Sequence, residues 1–296
     1  MRKIMLSFLI GAAALLSARA QSLQFLNIPA DARVAALANA SVALPAGASA
    51  VESGMAATVL DSGTMAVGAS YGSWAPKTTK MGLVNAGGWY RFDRFAVGLA
   101  GRYCLEQPYD VFSDSAKPLG SFTPREFNVG LGLAFQIADP FSIGVTARFV
   151  SSAIADKASG TAVGADVSAM YAAGPFRAAL GVCNLGTKIS YGKGDYAQPA
   201  YARLGGAYSA SGLTAGLEVD YLFAGALMAG LGIEYGIADI VFLRGGFHYG
   251  DAAKAIPTYA SLGLGVKYAG AQLDLAFLTA SKTIGNSLMV SLGFAF

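Results

Sequence analysis

The single histidine of the 296-residue chain, His248, and Ser261 are the pair most able to do covalent chemistry. A serine, a histidine and an acid brought together make a nucleophile whose proton the imidazole removes while the carboxylate holds the ring. Strand alternation places both side chains on the inward face of adjacent strands, near their external ends. The acid that would orient the ring, Asp220, lies more than one strand away. The pair therefore reads as polar lining, and the chain is expected not to be an enzyme. Cys104 and Cys183 lack the CxxC spacing of a metal or redox site and fall on strands well apart, so they are expected to remain unpaired. No zinc motif, phosphate-binding loop or dinucleotide fingerprint occurs, so no cofactor or metal is expected.

The remaining candidates are charges. The inward parity collects Arg102, Arg148, Arg177, Arg203, Arg244 and Lys267 with Glu126, Asp166, Glu218, Asp220, Glu234 and Asp274. An ion-selective pore usually shows a bias of one sign, whereas these balance. They are expected to form a salt-bridge network that stiffens and fills an interior.

The elements that would carry them follow from composition. Charged residues make up 13% and hydrophobic residues 54% of the chain, against a usual charged fraction of about 25%. That excludes an ordinary soluble enzyme, and the aromatic and β-branched content excludes disorder. The body of the chain has no apolar run of the roughly 18 residues a spanning helix needs. A membrane β-barrel remains. Residues 1–20 read as a cleaved secretory signal, with Arg2 and Lys3, an apolar run over 4–16 and the small-x-small end Ala18-Arg19-Ala20. Its removal leaves 18 basic and 18 acidic residues, so the net charge of +3 belongs to the signal and does not indicate nucleic-acid binding.

From Thr64 onward apolar residues alternate in segments of about ten, the pattern of transmembrane strands. Leu288, Val290, Leu292, Phe294 and Phe296 share one face of the last segment, and Phe127, Val129, Leu131, Leu133, Phe135 and Ile137 share one face of another. Strands are expected near 64–73, 80–91, 95–104, 126–138, 141–152, 161–173, 175–184, 199–209, 212–222, 227–237, 240–249, 258–268, 271–280 and 286–296, about fourteen in all. Tight turns such as Phe92-Asp93-Arg94, Asp139-Pro140 and Ala238-Asp239 follow the even strands. Longer loops mostly follow the odd ones, the longest over 105–125. Short turns belong on the periplasmic side and long loops outside. The fold class is thus an all-β transmembrane antiparallel barrel of about fourteen strands over 64–296. Residues 21–63 lack alternation but are rich in Ala, Val and Leu, and are expected to fold inside the lumen as a hatch. Tyr109, Phe112, Phe122, Tyr191 and Tyr196 on external loops are candidate partner-binding residues, or members of an aromatic girdle or of the loop packing.

Several stretches resemble the PorV/PorQ family of Bacteroidetes outer-membrane proteins, relatives of the FadL-type barrel. The hatch motif Pro29-Ala30-Asp31-Ala32-Arg33 resembles the family's opening Pro-x-Asp-Ala-Arg. Gly120–Glu126, Asn184-Leu185-Gly186, Leu243–Phe247 and Ser261–Tyr268 follow in order. The chain departs from the family with Leu37-Ala38 and Met55-Ala56-Ala57, where members usually carry Met-Gly and Asn-Pro-Ala. The resemblance implies a fourteen-stranded barrel with an N-terminal hatch, tied to type IX secretion, with the translocon and cargo C-terminal domains as partners besides outer-membrane lipid. A FadL-like channel for a hydrophobic ligand is the alternative.

Overall fold

The computed structural model describes residues 22–74, 76–77, 80–113, 115–192, 194–251, 254–279 and 285–296. The expected signal peptide lies outside them. Eighteen strands follow one another among the described residues. They are β1 (Met65–Trp74), β2 (Met81–Phe92), β3 (Phe95–Leu105), β4 (Tyr109–Phe112), β5 (Pro118–Phe122), β6 (Arg125–Ala138), β7 (Phe141–Ala155), β8 (Ala158–Ala173), β9 (Phe176–Gly186), β10 (Ile189–Tyr191), β11 (Gly194–Tyr196), β12 (Tyr201–Ala210), β13 (Leu213–Leu222), β14 (Ala226–Ile237), β15 (Val241–Gly250), β16 (Tyr259–Tyr268), β17 (Ala271–Thr279) and β18 (Ser287–Ala295). Fourteen of them close one antiparallel barrel, in which β1 pairs with both β2 and β18.

Closure removes the sheet edge that a membrane would leave unsatisfied. The period of two then sorts the side chains. Leu99, Leu131, Leu133, Leu204, Leu262 and Leu288 stand exposed on the outer face, while Arg102, Arg148, Arg203 and Arg244 are buried within. Aromatic residues mark both ends of the outer band. On β6, Phe127 packs against Phe149 at 6.2 Å and Phe135 against Phe95 at 4.6 Å. The two lie eight residues apart on one strand, roughly 26 Å before tilt, which suits an apolar band about 25 Å tall. No helix among the described residues is long and apolar enough to cross a membrane.

The turns at one end are tight. Asp93, Gly174, Ser211, Ala238 and Asp239 all have φ between 53° and 57°, the left-handed backbone that two-residue hairpins demand. The other end carries the long connections, and two of these hold structure that alternation did not signal. β4 and β5 form a separate hairpin within 105–125, and β10 and β11 form another between β9 and β12. Their strands of three to five residues are too short to show a period. The apolar stretch 221–233 splits between β13 and β14 around Gly225, as its hairpin signal predicts.

Candidate functional site: the lumen

The described chain begins at the long-loop end, where the Ser22 N–H donates to the Ala197 carbonyl at 3.1 Å and its hydroxyl to Tyr191 at 3.2 Å. It reaches the short-turn end where the Thr64 N–H meets the C-terminal Phe296 carbonyl at 2.6 Å. Between these points residues 22–63 cross the lumen with little regular structure: a 3₁₀ turn at Gln24–Asn27, α1 (Ala32–Ala36), α2 (Ala50–Ser53) and a 3₁₀ turn at Met55–Val59. Such short helices cannot satisfy their own backbone. Inward side chains of the barrel do it instead. Ser70 donates to Ala30 at 2.7 Å, Ser261 to Ala36 at 2.8 Å, Ser142 to Ala56 at 2.7 Å and the Trp89 indole to Gly47 at 2.9 Å.

The outer third of the lumen is apolar. Leu23, Phe25, Leu26 and Ile28 pack with Trp74, Leu83, Met228, Tyr259, Leu278 and Met289, inward residues near the long-loop ends of their strands. Below this plug lies a charged belt that joins segment to wall. Arg33 grips Glu234 with two bonds, of 2.9 and 3.0 Å, and Glu234 also takes Arg244 at 2.5 Å. Arg244 continues to Asp274 on β17 at 2.7 Å, crossing over Gly265 of the intervening strand. A side chain at Gly265 would land on the Asp274 carboxylate. Glu52 of α2 binds Arg148 at 2.5 Å and Asn128 at 3.1 Å, with Arg102 at 3.8 Å, and Arg148 reaches Asp166 at 2.5 Å. Glu218 pairs with Arg203 and accepts the N–H groups of Ser41 and Val42, both at 2.7 Å. Asp31 caps α1 through the Val34 N–H at 2.7 Å and takes the Ser49 hydroxyl, while Pro29 beside it is buried. Burial alone would raise the Glu52 carboxyl; Arg148 and Arg102 override it and hold the group down to about 2.

Eight of the twelve inward charges join these contacts, and four stand apart. Lys267 and Arg177 make no ion pair among the described residues; each sits one residue from the short-turn end of its strand, with Lys267 exposed and Arg177 half-buried. Glu126, at the other rim, takes the Ser152 hydroxyl at 2.7 Å. Asp220 lies opposite Arg203 in register, but Arg203 turns to Glu218 and leaves one Asp220 oxygen buried without a partner. The belt therefore does not close with wall residues alone. It needs Arg33 and Glu52 from the N-terminal segment, and sequence reasoning missed Glu52 because its surroundings have no period.

His248 and Ser261 do not face each other chemically. Ser261 serves Ala36, while the His248 ring stacks on Tyr259 at 4.9 Å with Nδ1 3.3 Å from the Ala38 carbonyl. Both cysteines are buried and free. Among the loop aromatics, Tyr109 and Phe112 stand exposed on β4, and Phe122 packs half-buried against Tyr109 at 5.8 Å. Tyr191 takes the loop-packing alternative. It is buried, donates to Ser152 at 2.6 Å and belongs to the seal over Ser22, not to an open surface. Tyr196 is half-buried against it at 5.6 Å.

Beside the segment, toward the short-turn end, a cavity of about 510 Å³ remains. The inner faces of β18, β1, β2 and β3 form one side, with Gly293, Ala66, Gly68, Gly87, Trp89 and Ala100 in the lining. The turn Pro45–Ser49 and the Arg33, Arg244 and Asp274 chain form the other, and Lys267, Gly270 and Phe296 stand at the mouth.

A closed fourteen-stranded barrel with an apolar outer face, aromatic girdles and an occupied lumen defines an outer-membrane β-barrel. Solved structures share this fold. The toluene transporter TbuX of Ralstonia pickettii aligns with a TM-score of 0.66 at 12% identity, covering 90% of this chain and 98% of that one. The toluene transporter TodX of Pseudomonas putida gives 0.66 at 10%, covering 95% and 99%. A FadL homologue of Pseudomonas aeruginosa gives 0.61 at 14%, covering 87% and 96%. No curated protein sequence matches the chain. The sequence profile described as "Type IX secretion system protein PorV" matches residues 16–211. The chain belongs to the PorV family.

Proposed function

We propose that this barrel serves type IX secretion as a non-enzymatic binding or shuttle component, with residues 21–63 acting as its hatch. The observation that carries the reading is the family match over residues 16–211. The filled outer lumen supports it, since a barrel so packed offers surfaces before it offers a conduit. The surface facing outward is the β4–β5 hairpin, where Phe112 and Leu119 are 58% and 66% exposed. Cargo C-terminal domains and the translocon are the partners this reading implies. The test is a comparison of secreted proteins with and without the gene. Loss of type IX-signalled proteins from the medium is expected, and an unchanged secretome sinks the proposal.

A second reading has its own observation. The cavity beside the N-terminal segment suits a hydrophobic small molecule, and transporters of such molecules share the fold. This reading predicts that deletion slows uptake of a labelled apolar compound; retained uptake removes it.

A further inference from the structure

We infer that the cavity is a blind site, entered from the short-turn end, for an anionic amphiphile with one slender apolar tail. The inference deepens the small-molecule reading by naming a side of entry and a ligand class, and it does not depend on a role in secretion.

The direction of entry comes from where the lumen is full. The apolar plug of Leu23–Ile28 against Trp74, Leu83 and Met289 is buried and lies between the cavity and the long loops. The mouth at Lys267 and Phe296 belongs to the opposite end. Short turns of outer-membrane barrels face the periplasm, so the ligand arrives from the periplasm or the inner leaflet. The same plug stops it from travelling on.

The ligand class comes from the walls. A volume of about 510 Å³ falls within the 300–1,000 Å³ common to small-molecule sites. One side is largely backbone and methyl groups of Gly and Ala, which accept a thin alkyl chain, and its polar members Ser70, Asn85 and Ser291 are bonded to the N-terminal segment or within the wall. The deep charges are balanced, with Arg33 and Arg244 paired to Glu234 and Asp274 and Asp31 bound to Ser49 and the Val34 N–H; one Arg244 nitrogen, Nη2, stays buried without a partner. At the mouth, Asp61 accepts the N–H groups of Ala46 and Ser62. Lys267 stands there with no ion pair among the described residues. A tail inside and an anion beside Lys267 is the arrangement these groups favour. A carboxylate and a single-tailed phospholipid share that chemistry.

The two tryptophans make the test direct, because Trp89 lines the cavity and Trp74 belongs to the plug. The full chain, folded in nonionic detergent, is titrated with dibromostearic acid, whose bromines quench nearby indoles. The Trp74→Phe variant should be quenched saturably through Trp89, and the Trp89→Phe variant, reporting through Trp74, should not. Dodecanoate should compete, and dodecanol should compete about fivefold less well, the worth of one exposed ion pair. Lys267→Gln should erase that difference. Gly293→Leu should abolish binding, because a side chain there points into the space with its nearest neighbour, the Val67 carbonyl, at an ordinary 3.5 Å. Each variant is checked for the compact, heat-modifiable gel mobility of a folded barrel; should Gly293→Leu lose it, Ser291→Leu at the same wall takes its place.

Quenching of Trp74 in preference to Trp89 would overturn the side of entry, and competition blind to head charge would overturn the ligand class. A folded barrel with no saturable quenching overturns the site itself. Mass spectrometry of a solvent extract of the purified protein separates a fatty acid from a single-tailed phospholipid. Normal uptake of apolar compounds in a deletion strain, with saturable Trp89 quenching intact, would end the transport reading and leave the site standing.

Discussion

Glu52 shows how much rests on single side chains in this lumen. It is the one acid through which α2 reaches Arg148 and Arg102, and its removal leaves two buried guanidiniums short of a partner. Breaking a buried pair costs about 3–5 kcal/mol, so Glu52→Gln should lower the free energy of unfolding in detergent by that amount near neutral pH. The sign of the pH dependence follows from a carboxyl held at about 2 in the folded barrel against an ordinary 4.5. Its contribution is complete above pH 4.5 and disappears as the pH falls toward 2. The gap between native protein and Glu52→Gln should therefore close across that window, and a gap that stays constant refutes the assignment. At this scale the sequence was legible only where alternation reached. Parity put Arg148, Arg203 and Arg244 inside, but it could not show that Arg203 would choose Glu218 over Asp220, its partner in register. That choice is made by the N–H groups of Ser41 and Val42, which fix the Glu218 carboxylate from the other side.

Among the elements, the strands were readable and the segment between their inner faces was not. A strand buried on one face must alternate, and the fourteen barrel strands do. Residues 22–63 are surrounded by protein, so most are buried, only Gln24 and Ser62 stand exposed, and no period survives. Their close approach to the wall is recorded instead in glycines: a Cβ at Gly230 or Gly232 of β14 would strike the Ala38 or Leu37 carbonyl. The β4–β5 hairpin is the opposite case, an element that touches the barrel sparingly, with the Tyr109 hydroxyl bonded to Ile154 at 2.6 Å. Replacing 109–122 by a short Gly/Ser turn should leave heat-modifiable folding unchanged while reducing co-purification of secretion partners severalfold, as expected of exposed apolar anchors. Unaltered recovery would move the partner surface elsewhere.

For the whole molecule, the decisive quantity is how full the lumen is. A barrel of fourteen strands is wide enough to hold water if emptied, since smaller ones already admit ligands. With the plug in place the native protein should be electrically silent in planar bilayers, whereas a chain lacking 22–60 should conduct. Large currents from the native protein would contradict the seal. The sequence carried a sign of that seal which alternation alone obscured: Trp74, Leu83, Met228, Leu278 and Met289 are bulky apolar residues in the inward row, where a water-filled pore would want polar ones.

The path of residues 22–63 from one rim to the other also sets an order of events. The segment touches both halves of the wall, Glu52 on β3 and β7 and Arg33 on β14, so it belongs to neither edge of the growing sheet. The seam is made by eight residue pairs, Ala66–Ser73 against Leu288–Ala295. When those pairs zip, whatever lies between the edges is enclosed. The segment is then a mandrel around which the sheet is rolled, and the pairing of β1 with β18 is what shuts it in.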